Sequence, residues 1–306
     1  MNLLIAAARD ADRWRDAFAA ALPAAHIAVW PDAPAAVDYA AVWKPATGVF
    51  RRVWVRRAIF NLGAGVDALL AIDGLPREVP IVRLEDAGMA EQMAEYVSLA
   101  VLRAYRDAGH YTREQAAGRW SPLERRDKKT FRVGLLGAGV LGRAVAAALR
   151  ALGFPVAVWS RTASELPGAT RYWGDSELRA FLGSLSVAVA MLPSTPATRG
   201  LLDAERLAWF APGAHLVNVG RGDLVVDEDL VAAIDAGRLA GATLDVFRDE
   251  PLPPAHPFWH HPRIVMTPHV SAVTLVPESA AQVAAKIAAF ERGDPVGGVV
   301  DVDRGY

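Results

Sequence analysis

The chain has 306 residues, 53% of them hydrophobic and 22% charged, with 33 Lys and Arg against 34 Asp and Glu and a formal net charge of -1. That composition belongs to a globular protein long enough for two buried cores, and it excludes a disordered chain, a basic field for nucleic acid and a charged interaction tail. There is no cysteine, so disulfides, thiolate metal ligands and thiol catalysis are excluded, in keeping with a reducing compartment.

Met1 to Ala8 is apolar but short, and Arg9, Asp10 and Asp12 follow at once, so it reads as a first buried strand and not as a secretory leader. No run of about 18 uncharged apolar residues occurs, so no membrane span is expected and the cytoplasm is the expected location. Four further apolar runs, Ile27 to Trp30, Ala41 to Trp43, Ala58 to Leu62 and Ile81 to Leu84, are bounded by Pro, Gly and Asp as buried strands are. From about Gly88 to Asp107, Met89, Met93, Tyr96, Val97, Ala100, Val101 and Ala104 recur at spacings of three and four and predict an amphipathic helix. Gly109 to Lys129 is polar without a clear period and reads as an exposed connection, a candidate contact with another subunit.

A second strand-and-helix series begins at Phe131 to Leu136 and continues through Val156 to Trp159, Val187 to Leu192, His215 to Val219, Thr243 to Phe247 and Ile264 to Met266. A last helix is predicted from about Pro277 to Arg292, with Val283, Ile287 and Phe290 on its apolar face. Alternation of this kind argues for α/β architecture with parallel sheets covered on both faces.

Gly137-Ala138-Gly139-Val140-Leu141-Gly142 is a G-x-G-x-x-G run that directly follows an apolar strand and opens a helical pattern at Leu141, Val145, Leu149 and Leu152. Gly137 suits the tight turn, Gly139 lets backbone approach a pyrophosphate, and Gly142 lets helix and strand pack closely, with the helix N-terminus facing the phosphates. An adenosyl-methionine site has a similar appearance, so chemistry must be argued separately. At the end of the second strand of this series, where an acid grips the ribose of NAD, stand Ser160, Arg161 and Thr162. Two hydroxyls and a guanidinium suit a 2′-phosphate, which predicts NADP(H) as the preferred cofactor, with NAD(H) possible.

Three later strand ends carry reactive residues: Arg221 between Gly220 and Gly222, Glu250 before Pro251, and His269 after Pro268. In open α/β sheets ligands bind beyond the carboxyl ends of strands, so all three can converge at the edge that holds the glycine turn. Reduction of a 2-oxo acid needs a hydride from a cofactor, a proton for the carbonyl oxygen and a cation for the carboxylate. Histidine suits the proton, a carboxylate bonded to its other ring nitrogen orients it, and arginine suits the anion. Taken singly, each is as readily a solvated loop residue, a turn residue or a core histidine; together after three strands they make a catalytic set.

At these motifs, and at Asn218-Val219-Gly220-Arg221-Gly222, Leu244-Asp245-Val246-Phe247, Thr267-Pro268-His269 and Leu62-Gly63-Ala64-Gly65-Val66-Asp67, the chain resembles the D-2-hydroxyacid dehydrogenase family over essentially its whole length. With Val42-Trp43 and the terminal Val302-Asp303-Arg304-Gly305-Tyr306, it most resembles the glyoxylate/hydroxypyruvate reductase A type. The resemblance implies two Rossmann-like doubly wound parallel-sheet domains. A nucleotide domain (99–274) is inserted into a flavodoxin-like substrate domain (1–98 and 275–306), and the two long helices cross between them.

The resemblance further implies His269 as acid/base, Glu250 as its partner and Arg221 as substrate anchor. The N–H groups of Ala64 and Gly65 would bind the substrate carboxylate, and Trp43 would face the substrate. Cofactor contacts are implied at Gly137, Gly139, Val140, Leu141, Gly142, Ser160, Arg161, Thr162, Leu192, Pro193, Val219, Gly220, Asp245 and Ser271. Read without the family, Trp43 is a core aromatic, Gly63 to Gly65 a tight loop and Asp245 a solvated strand-end acid. The expected partners are a small 2-oxo or 2-hydroxy acid and a second copy of the chain in a homodimer; no nucleic acid, membrane or metal is expected. Two other functions fit the same motifs: a dehydrogenase for a different 2-hydroxy acid, and a dinucleotide-binding regulator without turnover.

Overall fold

A computed structural model describes residues 1–163 and 165–306, and the chain divides into two compact units. Unit 1 comprises residues 1–89 and 274–306, and unit 2 comprises residues 90–273.

Unit 1 begins with β1 (Asn2–Ala7), α1 (Ala11–Ala21), β2 (His26–Val29), β3 (Ala36–Trp43), α2 (Val49–Arg52), β4 (Trp54–Asn61), α3 (Asp67–Leu70) and β5 (Ile81–Arg83). The strands form one parallel sheet in the order β2-β1-β3-β4-β5. Its apolar runs are uninterrupted because both faces are covered: Leu3, Leu4 and Ile5 are fully buried, as are Ala40, Ala41 and Val42. Trp14 and Phe18, one turn apart on α1, are both buried, with ring centroids 6.0 Å apart.

Unit 2 is built from α4 (Met89–Tyr105), α5 (Ala108–Ala116), β6 (Val133–Leu136), α6 (Val140–Ala151), β7 (Val156–Ser160), β8 (Thr170–Trp173), α7 (Gly174–Gly183), β9 (Val187–Ala190), α8 (Ala204–Ala208), β10 (Ala214–Asn218), α9 (Asp227–Asp235), β11 (Leu239–Leu244) and β12 (Ile264–Met266). Unit 1 is completed by α10 (Val276–Arg292), which packs against α1. The seven strands of unit 2 are parallel in the order β12-β11-β10-β9-β6-β7-β8. The order reverses between β6 and β9, the topological switch point at whose carboxyl edge a doubly wound sheet binds its ligand. The α/β class with two parallel sheets is therefore as expected from the alternation of the sequence.

Three local expectations need correction. Residues 108–116 of the expected connection form α5; no residue of α5 is buried, so no apolar period marks it, although Ala, Arg, Glu and Gln favour a helix. The strand expected at Thr243 to Phe247 runs instead from Leu239 to Leu244, where pairing with β10 and β12 ends, and leaves Asp245 beyond the strand. β8 was not anticipated: it is an edge strand whose side chains lie largely in solvent, so it lacks an apolar run. Among the described residues no helix is long and apolar enough to cross a membrane, and no group of three or more His, Asp or Glu is placed to hold a metal ion.

Candidate active site

The glycine turn joins β6 to α6. Gly137 has φ 119, a backbone state that side chains resist, and a Cβ there would lie 3.3 Å from the Met191 carbonyl oxygen after β9. A Cβ on Gly142 would meet the Gly137 oxygen at 2.6 Å, so only glycine lets the first turn of α6 close on the loop. In front of Gly139 there is open space, with no atom within 4 Å of an added Cβ. Val145, Ala146 and Leu149 bury the other face of α6, so its N-terminal turn, with Val140 and Leu141, is held against this opening. The cradle therefore fits a dinucleotide pyrophosphate: bare backbone, free volume and a helix N-terminus coincide.

At the end of β7, Ser160 Oγ donates to the Thr162 carbonyl at 2.7 Å and rounds the loop, which carries Arg161 and Thr162 exposed. The loop after β9 carries Leu192 and Pro193, both half-buried. Gly220 must be glycine here, because a Cβ would lie 2.8 Å from the Leu192 oxygen. Val219 is buried, and its N–H donates to Ala190 O at 3.1 Å, continuing the sheet one step past β10.

Asn218, a buried amide at the head of the motif to which the sequence assigned no role of its own, shapes the turn that presents Arg221. Its Nδ2 donates to Arg221 O at 2.9 Å, and its Oδ1 accepts from Gly220 N at 3.2 Å. Arg221 Nη1 donates to Gly220 O at 2.8 Å. The next residue, Gly222, lies flat against the Phe247–Arg248 peptide, where a Cβ would come within 1.9 Å of Phe247 C. The Arg221 turn is thus stacked on the loop that carries Glu250. Asp223 extends this seam: Oδ2 accepts from Ser194 Oγ at 2.5 Å, tying the loop after β9 to the Arg221 turn.

Glu250 and His269 are in direct contact. His269 Nδ1 lies 2.7 Å from Glu250 Oε2, while Glu250 Oε1 accepts from Phe247 N at 3.1 Å. One carboxylate oxygen fixes the loop and the other fixes the imidazole, both side chains remaining partly open to solvent. With Nδ1 engaged by the carboxylate, Nε2 is the ring atom at which a proton can be exchanged with a ligand. His269 has φ 56, a left-handed backbone state costing about 1–2 kcal/mol for a residue with a Cβ.

That conformation is held by Asp245, which is fully buried and not the solvated acid its position suggested. Oδ1 accepts from Thr267 Oγ1 at 2.6 Å and from Val270 N at 2.9 Å, and Oδ2 accepts from Ser271 N at 2.8 Å. Its own carbonyl accepts from His269 N at 2.8 Å. Both carboxylate oxygens are engaged within the protein, so Asp245 builds the His269 turn, and the buried Ser271 belongs to the same turn. A strand-end acid beside Arg248 and Asp249 gives no sequence signal of this burial.

In unit 1, Trp43 at the end of β3 lies against Gly63, where a Cβ would fall 2.1 Å from the ring. Buried Asn61 folds the same loop by donating Nδ2 to Gly63 O at 2.9 Å and to Gly65 O at 2.8 Å. Trp43, Ala64 and Gly65 therefore share the carboxyl edge of that unit's sheet, all three half-buried. Trp43 is accordingly not the core aromatic that its surroundings in the sequence suggested.

Comparisons with known proteins bear on this arrangement. Residues 98–271 match the sequence model described as "D-isomer specific 2-hydroxyacid dehydrogenase, NAD binding domain". A glyoxylate/hydroxypyruvate reductase A of Serratia proteamaculans is 44% identical over 305 residues, covering 97% of each chain. A D-isomer specific 2-hydroxyacid dehydrogenase of Xanthobacter autotrophicus, solved with NADPH and MES, superposes with a TM-score of 0.95 at 42% identity, covering 100% of this chain and 99% of its own. An NADPH-dependent glyoxylate/hydroxypyruvate reductase of Sinorhizobium meliloti, solved with NADP and sulfate, gives a TM-score of 0.94 at 34% identity with the same coverage.

Proposed function

Because this chain belongs to the D-isomer specific 2-hydroxyacid dehydrogenase family, we propose that it is an NADPH-preferring reductase of glyoxylate and hydroxypyruvate. The relatives of that name support the substrate class, and the contact between His269 Nδ1 and Glu250 Oε2 at 2.7 Å supports turnover rather than mere binding.

When bound, NADPH supplies the hydride. Gly137, Gly139 and the first turn of α6, with Val140, Leu141 and Gly142, would hold its pyrophosphate, and Leu192, Pro193, Val219 and Gly220 would line its path. Ser160, Arg161 and Thr162 would take the 2′-phosphate, the guanidinium bonding it bidentately. Arg221 pairs with the substrate carboxylate and polarises the 2-oxo group. His269 gives the proton from Nε2 to the carbonyl oxygen, and Glu250 stabilises the imidazolium before transfer and orients the ring throughout. In unit 1 the N–H groups of Ala64 and Gly65, with Trp43, are assigned to substrate contact.

We also assign a homodimer, supported by Tyr111, Leu123 and the 97%-exposed Trp120 in the otherwise polar segment after α4, and a cytoplasmic location. Loss of NADPH absorbance on adding glyoxylate or hydroxypyruvate tests the reading. Steady consumption is expected with both acids and faster than with NADH; no consumption with any 2-oxo acid, despite NADPH binding, would contradict it.

A further inference from the structure

The turn that presents His269 is held from outside as well as by Asp245. On α4, Gln92 and Tyr96 stand one helical turn apart on the same face. Gln92 Nε2 donates to Val273 O at 3.1 Å and Gln92 Oε1 accepts from Val273 N at 3.1 Å, so one side-chain amide takes both backbone groups of that residue. The Tyr96 hydroxyl lies 2.5 Å from Thr267 Oγ1. Thr267 sends its own proton to Asp245 at 2.6 Å, so at this contact Tyr96 is the donor and Thr267 the acceptor. Burial raises the pKa of the Tyr96 hydroxyl, which keeps that donor protonated.

His269 sits between the two grips, two residues after Thr267 and four before Val273. Its left-handed backbone state persists only where the surroundings hold it. The docking of α4 does not depend on these polar groups: Met93, Val97, Ala100 and Val101 bury its apolar face in the core of unit 2. The amide of Gln92 and the hydroxyl of Tyr96 are therefore available for a different task.

We propose that Gln92 and Tyr96 are positioning residues for His269, holding both ends of its turn and so fixing the direction in which the imidazole presents Nε2. The inference rests on the assignment of His269 as proton donor. It makes α4 part of the catalytic apparatus although neither residue carries out chemistry.

The test compares Y96F, Q92L, T267V and T267S with the wild-type enzyme for kcat, KM for glyoxylate, NADPH affinity and Tm. Y96F and T267V are expected to lower kcat about tenfold or more, because small misplacements of a catalytic group cost that much. NADPH affinity should stay within about twofold, and Tm should be nearly unchanged in Y96F and T267S, since the apolar face of α4 is intact; T267V, which takes a donor from the buried Asp245 carboxylate, should also lower Tm. T267S keeps the hydroxyl and should recover most of the turnover lost in T267V. Wild-type kcat in both Y96F and T267V, or T267S falling as far as T267V, would overturn the proposal.

Hydrogen exchange at the Val270, Ser271 and Val273 amides gives a readout that needs no turnover. Exchange about tenfold faster in Y96F and Q92L is expected, and unchanged exchange would overturn the brace. A wild-type enzyme that reduces no 2-oxo acid would instead overturn the functional assignment, leaving the exchange result to judge the brace.

Discussion

Two loops at the carboxyl edge of the same sheet are built in opposite ways. The turn from Thr267 to Val273 has its backbone taken by Asp245 and Gln92, and its threonine is bonded to both Asp245 and Tyr96. The loop at Ser160 to Thr162 is rounded by the bond from Ser160 Oγ to Thr162 O and carries Arg161 exposed at its tip. The difference follows from what each must do. Proton transfer fails when the donor atom is misplaced by an ångström, so the donor needs a fixed backbone. Choosing NADPH over NADH requires charge within reach of a phosphate, which a long, exposed guanidinium side chain supplies.

Substitutions should separate the two loops by size and kind of effect. The largest effect is expected from His269→Ala, which should lower kcat by about 10³-fold with NADPH affinity retained, measured by steady-state kinetics and fluorescence titration. Wild-type turnover would remove His269 from the mechanism. Asp245→Asn comes next. The amide places a donor where a backbone N–H already points, leaving a buried group unsatisfied at a cost of about 1–3 kcal/mol in stability, read from urea unfolding. The same variant should lose turnover by about tenfold or more, because the His269 turn loosens. Arg161→Ala should be milder and selective, weakening NADPH by about tenfold while leaving NADH unchanged in parallel titrations. Equal loss for both cofactors would mean that the open loop does not read the 2′-phosphate.

A last effect, on stability and not on turnover, concerns the sheet beneath both loops. His215 on β10 lies 3.0 Å from Thr243 Oγ1 through Nε2, and burial, helped by the charge of Arg103, lowers its pKa to about 4 from 6.5. The unfolded chain takes up this proton as pH falls below 6.5 and the folded chain does not until about 4. Stability from this residue is therefore full above pH 6.5 and is lost progressively toward pH 4, by an amount on the order of 3 kcal/mol. Thermal melts across that range should show the loss, and His215→Gln should flatten it.

The contrast between the loops also explains what could be read in advance. The parallel sheets were legible because strands covered on both faces are uninterrupted apolar runs, as at Leu3 to Ala7 and Val187 to Ala190. The edge strand β8 and the solvent-bathed α5 bury too little to leave a period. In the site, Arg221, Glu250, His269 and the glycine turn stood out because reactive residue types and bare backbone followed strand ends. The residues that hold them did not. Asn61 and Gln92 fold nearby backbone through their amides, which leaves no recurring pattern, and Asn218, though inside a quoted motif, gave no sign of its bracing role. Tyr96 was read as one more member of an apolar helix face, where its ring does belong; only its hydroxyl, directed at Thr267, departs from that pattern.

The central claim is that Glu250 acts through His269, and a double-mutant cycle on kcat tests it most directly. With His269→Ala, Glu250→Gln and the combined variant, the account predicts that removing Glu250 costs the wild-type enzyme at least about tenfold but costs the His269→Ala enzyme almost nothing. Losses that simply multiply would show two independent contributions and contradict it.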